Sequence, residues 1–129
     1  MRFILPAMLL IVGIIHLLPL SGVLSAHRLQ MLYGIAVEDP NLEILMRHRA
    51  VLFGLLCAFL IAAAFIPSLQ LAALVAGFAS VVSFLYLAAA VGSFNEQINR
   101  VVIADKVAVI CLVVGAVAYA MNRLNADQI

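Results

Sequence analysis

The run AVLFGLLCAFLIAAAFI, residues 50–66, holds seventeen residues with no charge and no polar side chain other than the Cys57 thiol. Wound as a helix at 1.5 Å per residue it is about 25 Å long, close to the roughly 30 Å of bilayer hydrocarbon. Pro67 follows at once and stops it. On the other side stand Arg47, His48 and Arg49, and further back Asp39-Pro40, which reads as an N-cap followed by proline at the first helical position. The helix therefore spans 41–66, with its amphipathic first turns in the headgroup layer and 50–66 in hydrocarbon.

Three more apolar runs surround this one and predict helices near 3–24, 69–92 and 101–121. With 67% hydrophobic and 10% charged residues and a mean hydropathy of +1.25, the composition lies far outside the soluble range. The runs are continuous rather than alternating, which excludes barrel strands. The expectation is an all-α membrane protein of one domain, 1–129: a four-transmembrane-helix bundle with short loops. Ser25 to Tyr33 reads as a short interfacial helix between the first two spans, ended by Gly34. The first run is longer than an ordinary signal-peptide core and is interrupted by His16 and Pro19, so it reads as a retained span. Cys57 and Cys111 each lie deep in an apolar run without a second thiol nearby, and read as small hydrophobes.

Five of the seven basic residues, Arg28, Arg47, Arg49, Arg100 and Lys106, fall on the side of the two longer connections, 25–40 and 93–100. The positive-inside rule then puts these connections in the cytoplasm and both termini in the periplasm of a bacterial inner membrane.

Helical spacing predicts which faces pack. Ala72, Ala76, Ser80 and Ser83 make a small-residue stripe on the third span, and Ala108, Gly115 and Ala116 one on the fourth, with Asp105 on the same side. On the second span Arg47 projects over Gly54 and Ala58, whereas Arg49 projects over Phe53, Leu56 and Leu60. Small residues admit a neighbouring helix, so Arg47 is expected to point inward and Arg49 outward. Lys106, above Ile110, Val113 and Val117, is expected to snorkel along lipid.

Depth gathers the polar residues. By helical rise Asp105 lies about 6 Å, Tyr86 about 9 Å and His16 about 8–12 Å inside the loop-side face. Arg47 and His48 stand at its rim, with Asn95, Glu96 and Asn99 above. The other half contains little beyond Gln70, Tyr119 and Asn122. His16, Arg47, His48, Tyr86, Asp105, Asn95 and Glu96 are therefore the candidate ligand-binding residues. Each also has a structural reading: Arg47 with Asp105 as an ion pair, His16 bonded to a helix carbonyl, Tyr86 as a packing residue. Arg28, Arg49, Arg100 and Lys106 read as phosphate contacts of membrane lipids.

No histidine pair has metal-ligand spacing, so neither a metal nor a bis-histidine haem on His16 and His48 is favoured, while a quinone or lipid suits the setting. Nucleotide-binding, serine-hydrolase and nucleic-acid-binding signatures are missing from the sequence.

Leu32-Tyr33-Gly34, the helix start Glu38-Asp39-Pro40 and the entry Leu45-Met46-Arg47-His48-Arg49-Ala50 resemble DoxX-like small bacterial membrane proteins, especially a branch from proteobacteria. The resemblance spans nearly the whole chain, with its specific part in 33–50. It implies a four-helix fold and an accessory membrane subunit, since some DoxX relatives are associated with quinone-linked oxidation of small sulfur compounds. It supplies no catalytic residue set. A phosphopantetheine adenylyltransferase activity, a label borne in this branch, is rejected because the chain lacks a nucleotide-binding βα unit and a His-x-Gly-His motif.

Three classes of function follow. The first is a binding or accessory protein holding a quinone-like, lipid or small anionic ligand in a polar pocket at the cytoplasmic half. The second is a proton-coupled small-molecule transporter, although here the first span carries His16 where small dimeric exporters carry an acid. The third is a structural subunit of a membrane complex. The second class also admits a homodimer through the third span.

Overall fold

The structure, a computed structural model, describes residues 2–128. Among them are five α-helices and no strand: α1 (Ile4–Leu17), α2 (Ala26–Tyr33), α3 (Pro40–Phe65), α4 (Gln70–Val91) and α5 (Glu96–Ala126). Four segments are long and apolar enough to cross a membrane: Ile4–Val23, Pro40–Phe65, Pro67–Val91 and Glu96–Ala126. The chain is thus an all-α, multi-pass membrane protein built as a four-helix bundle.

Local chemistry sets the boundaries. Pro19 has no N–H to donate and its ring crowds the preceding turn, so α1 gives way to a 3₁₀ segment, Leu18–Val23, that completes the first crossing. Ser25 then caps α2, its Oγ accepting the Arg28 N–H at 3.2 Å, and Gly34, at φ 66°, closes it. Asp39 caps α3 by accepting the Asn41 N–H at 2.8 Å, and Pro40 occupies the first turn. The helix stops at Ile66, the residue before Pro67, where proline disfavours helical backbone. Gly92, at φ 80°, closes α4.

The last helix differs from the hydropathy reading at both ends. The last helix begins at Glu96 rather than near 101 and continues to Ala126. Asn95 is the reason at the start: its Oδ1 accepts the Ile98 N–H at 2.8 Å, so Glu96, Gln97, Asn99 and Arg100 wind into a polar first turn. Hydropathy marks hydrocarbon, not helix.

Helix α1 packs against α3 and α5, and α4 packs against α5. The main core joins Leu5, Leu9, Val12, Leu60, Ala63, Leu74, Val81, Ala108 and Leu112. Two glycines admit close approach here. A Cβ on Gly115 would lie 3.1 Å from Leu5 Cδ1, and one on Gly77 would lie 3.0 Å from Leu112 Cδ2. A second, smaller core forms at the loop end, where Leu29, Tyr33 and Val37 pack with Leu42, Met46, Ile98 and Val101. It fastens α2 across the bundle mouth.

The small-residue reading succeeds on α5, where Asp105, Ala108 and Gly115 are buried on one face. On α4 the inward face is Ala73, Leu74, Gly77 and Val81, while Ala72 and Ser83 are exposed. The expected stripe is rotated by about one residue, because Gly77 rather than Ala76 receives Leu112.

Candidate functional site

Between the two cores lies a cavity of about 330 Å³. Its apolar wall comes from Ile15, Leu18 and Pro19 of the first crossing, Met31 and Leu32 of α2, Phe53 of α3 and Val101 and Ala104 of α5. Its polar groups are His16, Arg49, Gln97, Arg100 and Asp105. The 3₁₀ turn forced by Pro19 brings Leu18 and Pro19 to this wall, and α2 forms the lid.

Arg49 is the principal charge in this space. Its Nη1 donates to the Tyr33 hydroxyl at 2.7 Å, and its guanidinium carbon lies 4.6 Å from the centre of the Phe53 ring. The rings of Tyr33 and Phe84 stand at 5.3 Å and 5.9 Å. Three aromatic faces and a phenol oxygen hold the cation by quadrupole attraction and one hydrogen bond. That leaves most of its donors free for another acceptor.

His16 is only 2% exposed. Its Nδ1 lies 2.8 Å from the Val12 carbonyl, which can only accept, so this nitrogen carries the proton. In the neutral ring Nε2 is then the acceptor, and it receives the Ser80 hydroxyl at 3.3 Å. The ring also stacks at a tilt on Phe53, with centroids 5.6 Å apart.

Asp105 is 9% exposed and lines the same cavity from α5. Among the described residues it forms neither a salt bridge nor a hydrogen bond, and the two ion pairs are Arg47–Glu43 and Arg100–Glu96. No fully enclosed side-chain polar atom lacks a partner among the described residues, so the unbonded Asp105 carboxylate faces accessible space. Arg49 and Asp105 border one cavity without closing on each other. An ion-pair wall would fill that space; this arrangement keeps it open.

The expected roles of the two helix-entry arginines are reversed. Arg47 has a 44% exposed side chain and pairs with Glu43 at 3.1 Å, while its Nε donates to the Val23 carbonyl at 2.9 Å. It thus satisfies a carbonyl at the end of the 3₁₀ segment, a group that such an end leaves free. The small residues beneath it do mark a contact face, but the neighbour is that segment: a Cβ on Gly54 would come 2.6 Å from Leu20 Cδ1. The bulky face under Arg49 is the inward one, since Leu60 is buried and Leu56 packs on the main core. Arg47 and Asp105 therefore do not form the expected ion pair.

The other candidates fall in different places. Tyr86 is 71% exposed and outside the cavity. His48 and His27 are exposed, and neither lines the cavity. Glu96 is exposed and pairs with Arg100 at 3.0 Å, holding that guanidinium at the cavity rim. Asn95 is a clasp: besides capping α5, its Nδ2 donates to the Tyr33 carbonyl at 2.6 Å, fixing the C-terminus of α2. No group of three or more metal-ligating side chains occurs among the described residues. Lys106 is exposed on the outer face of α5.

Arg49, Tyr33, Phe53, Gln97 and Arg100 thus join His16 and Asp105. The Arg49–Phe53 spacing carried a usable signal, because residues four apart on a helix stack and an arginine over an aromatic is a favourable pair. Tyr33 and Gln97 meet the site only through the fold of α2 across α5.

The chain matches no family model, no curated protein and no solved structure.

Proposed function

We propose that this chain is a binding or accessory protein of the bacterial inner membrane, whose cavity holds an amphipathic or anionic small molecule by an oxygen-bearing head. The observation that carries the reading is the open Arg49–Asp105 arrangement. A charge in hydrocarbon costs about 3 kcal/mol on insertion scales, and two opposite charges facing one space recover most by closing on each other or by binding something between them. Here aromatic rings and Tyr33 hold Arg49 back from closure.

Arg49 donates to the head, Asp105 accepts from a donor on it, and His16 offers Nε2 as a proton acceptor when the Ser80 hydroxyl turns away. The apolar wall accommodates the rest, in the usual pattern of a concave apolar site with a few placed polar groups. The excess of basic residues at the loop side supports cytoplasmic loops and periplasmic termini. The DoxX-like motifs support an accessory role beside a quinone-linked oxidation, with a quinone-like head among the ligands considered.

Native mass spectrometry of the protein extracted from its own membrane tests this. The wild type and Arg47→Ala are expected to carry a stoichiometric small molecule that Arg49→Ala has lost. Retention by Arg49→Ala, or equal loss from both variants, overturns the assignment.

A further inference from the structure

Asp105 is 9% exposed, lines the main cavity from α5 and has no partner among the described residues. Arg49 lines the same cavity from α3, with one donor spent on the Tyr33 hydroxyl at 2.7 Å and three aromatic rings about its guanidinium. Rings attract a cation but do not cancel its charge. The remaining charged group of the lining, Arg100, pairs with Glu96 at 3.0 Å, and both of these side chains are mostly exposed. Glu96 and water answer that charge at the rim. The interior thus carries one unanswered positive and one unanswered negative charge, which sum to zero.

That balance selects among occupants. A monoanion on Arg49 places a second negative charge in the space that Asp105 faces. A monocation on Asp105 places a second positive charge in the space that Arg49 faces, and like charges brought together out of water repel. An uncharged head hydrogen-bonds to both groups and neutralises neither. A molecule with one group of each sign answers both, and each contact is then a charge-assisted hydrogen bond, the stronger kind.

We propose that the occupant is a small zwitterion of amino-acid type with an apolar side group, its carboxylate on Arg49 and its ammonium on Asp105. This rests on the ligand-binding reading above and narrows it. Size sets the scale: about 330 Å³ is at the small end of the roughly 300–1,000 Å³ of ligand pockets, which suits one small molecule rather than a two-chain lipid. The wall chooses the side group, because Ile15, Leu18, Met31, Leu32, Phe53 and Val101 surround the polar groups with hydrocarbon.

The test is equilibrium dialysis of radiolabelled leucine, and in parallel phenylalanine, against the protein in nanodiscs of neutral phospholipid, with empty nanodiscs as background. Three competitors keep the leucine side group and add no bulk. 4-Methylpentanoate lacks the ammonium, 3-methylbutylamine lacks the carboxylate, and 4-methylpentanamide is an uncharged donor and acceptor. Each should compete at least about tenfold more weakly than leucine, the loss of one charge-assisted contact. In Asp105→Asn the preference for leucine over 4-methylpentanoate should collapse while that over 3-methylbutylamine persists, and Arg49→Gln should show the reverse. A merely structural role for either residue would weaken all ligands alike and leave these preferences unmoved, which overturns the proposal. The wild-type series decides by itself if a variant does not fold: no saturable binding of either amino acid, or a competitor as strong as leucine, also overturns it. The native bound mass separates the two levels. If it depends on Arg49 while neither amino acid binds, the site stands and the zwitterion falls; if neither depends on Arg49, both fall.

Discussion

The two halves of the bundle solve different problems with the same four crossings. Toward the termini, Leu5 and Leu74 close on Gly115, Leu112 closes on Gly77, and Leu9 joins them in an apolar interior. Toward the loops, the helices part around His16, Arg49 and Asp105, and α2 covers the gap. In a bilayer, lipid is as apolar as a leucine core, so close backbone approach and van der Waals packing hold helices together. The terminal half supplies that, which leaves the loop half free to hold charges about an open space.

The largest expected effect attacks the packed half. Gly115→Leu drives side-chain atoms into Leu5 and Met8, whose atoms lie 3.1 Å and 3.4 Å from a Cβ there, and should cost about 3 kcal/mol of stability. Thermal unfolding in detergent reads this, and the surviving folded fraction should keep its ligand. A loss of ligand without loss of stability would mean that the halves are not separate.

Next comes Arg49→Ala, which removes charged donors worth roughly 1.5–3 kcal/mol of binding. Ligand retention should fall about 10- to 100-fold, while the unfolding midpoint changes less than in Gly115→Leu. Asp105→Asn keeps the shape and removes the charge, and should weaken a ligand that donates to Asp105 by about tenfold, or about 1.4 kcal/mol. Unchanged retention in both variants would leave the loop half a structural feature alone.

Arg47→Ala should behave as a packing change in the 3₁₀ segment. Loss of its bond to the Val23 carbonyl should cost about 1 kcal/mol of stability, with no change in ligand. The smallest effect belongs to Lys106→Gln, a change at a lipid-exposed position, expected within about 0.5 kcal/mol by the same unfolding assay.

How far the sequence reaches also differs between these halves. The four crossings, the interfacial α2, the caps at Asp39 and Gly34 and the buried face of α5 are legible because each follows from residues adjacent in the chain. The direction Arg49 faces is not, even though its spacing to Phe53 signals a stack, because bulky residues below an arginine suit lipid and core alike. Phe53 and Leu60 turn inward only because α1 lies there, and Gly54 turns toward the 3₁₀ segment that Pro19 creates. Tyr33 and Gln97 reach the site through the Asn95 clasp, a tie across 62 residues of chain. Tyr86 lies at a suitable depth but on the outer face, since depth fixes one coordinate of a helical residue and rotation the other.

The most direct test is the bound mass of the native protein and its two arginine variants, recorded from its own membrane in mild detergent. A small molecule present once per chain in the wild type and in Arg47→Ala, and gone from Arg49→Ala, is the predicted result. A bare chain in the wild type, or the same mass on all three, would contradict a ligand site built around Arg49.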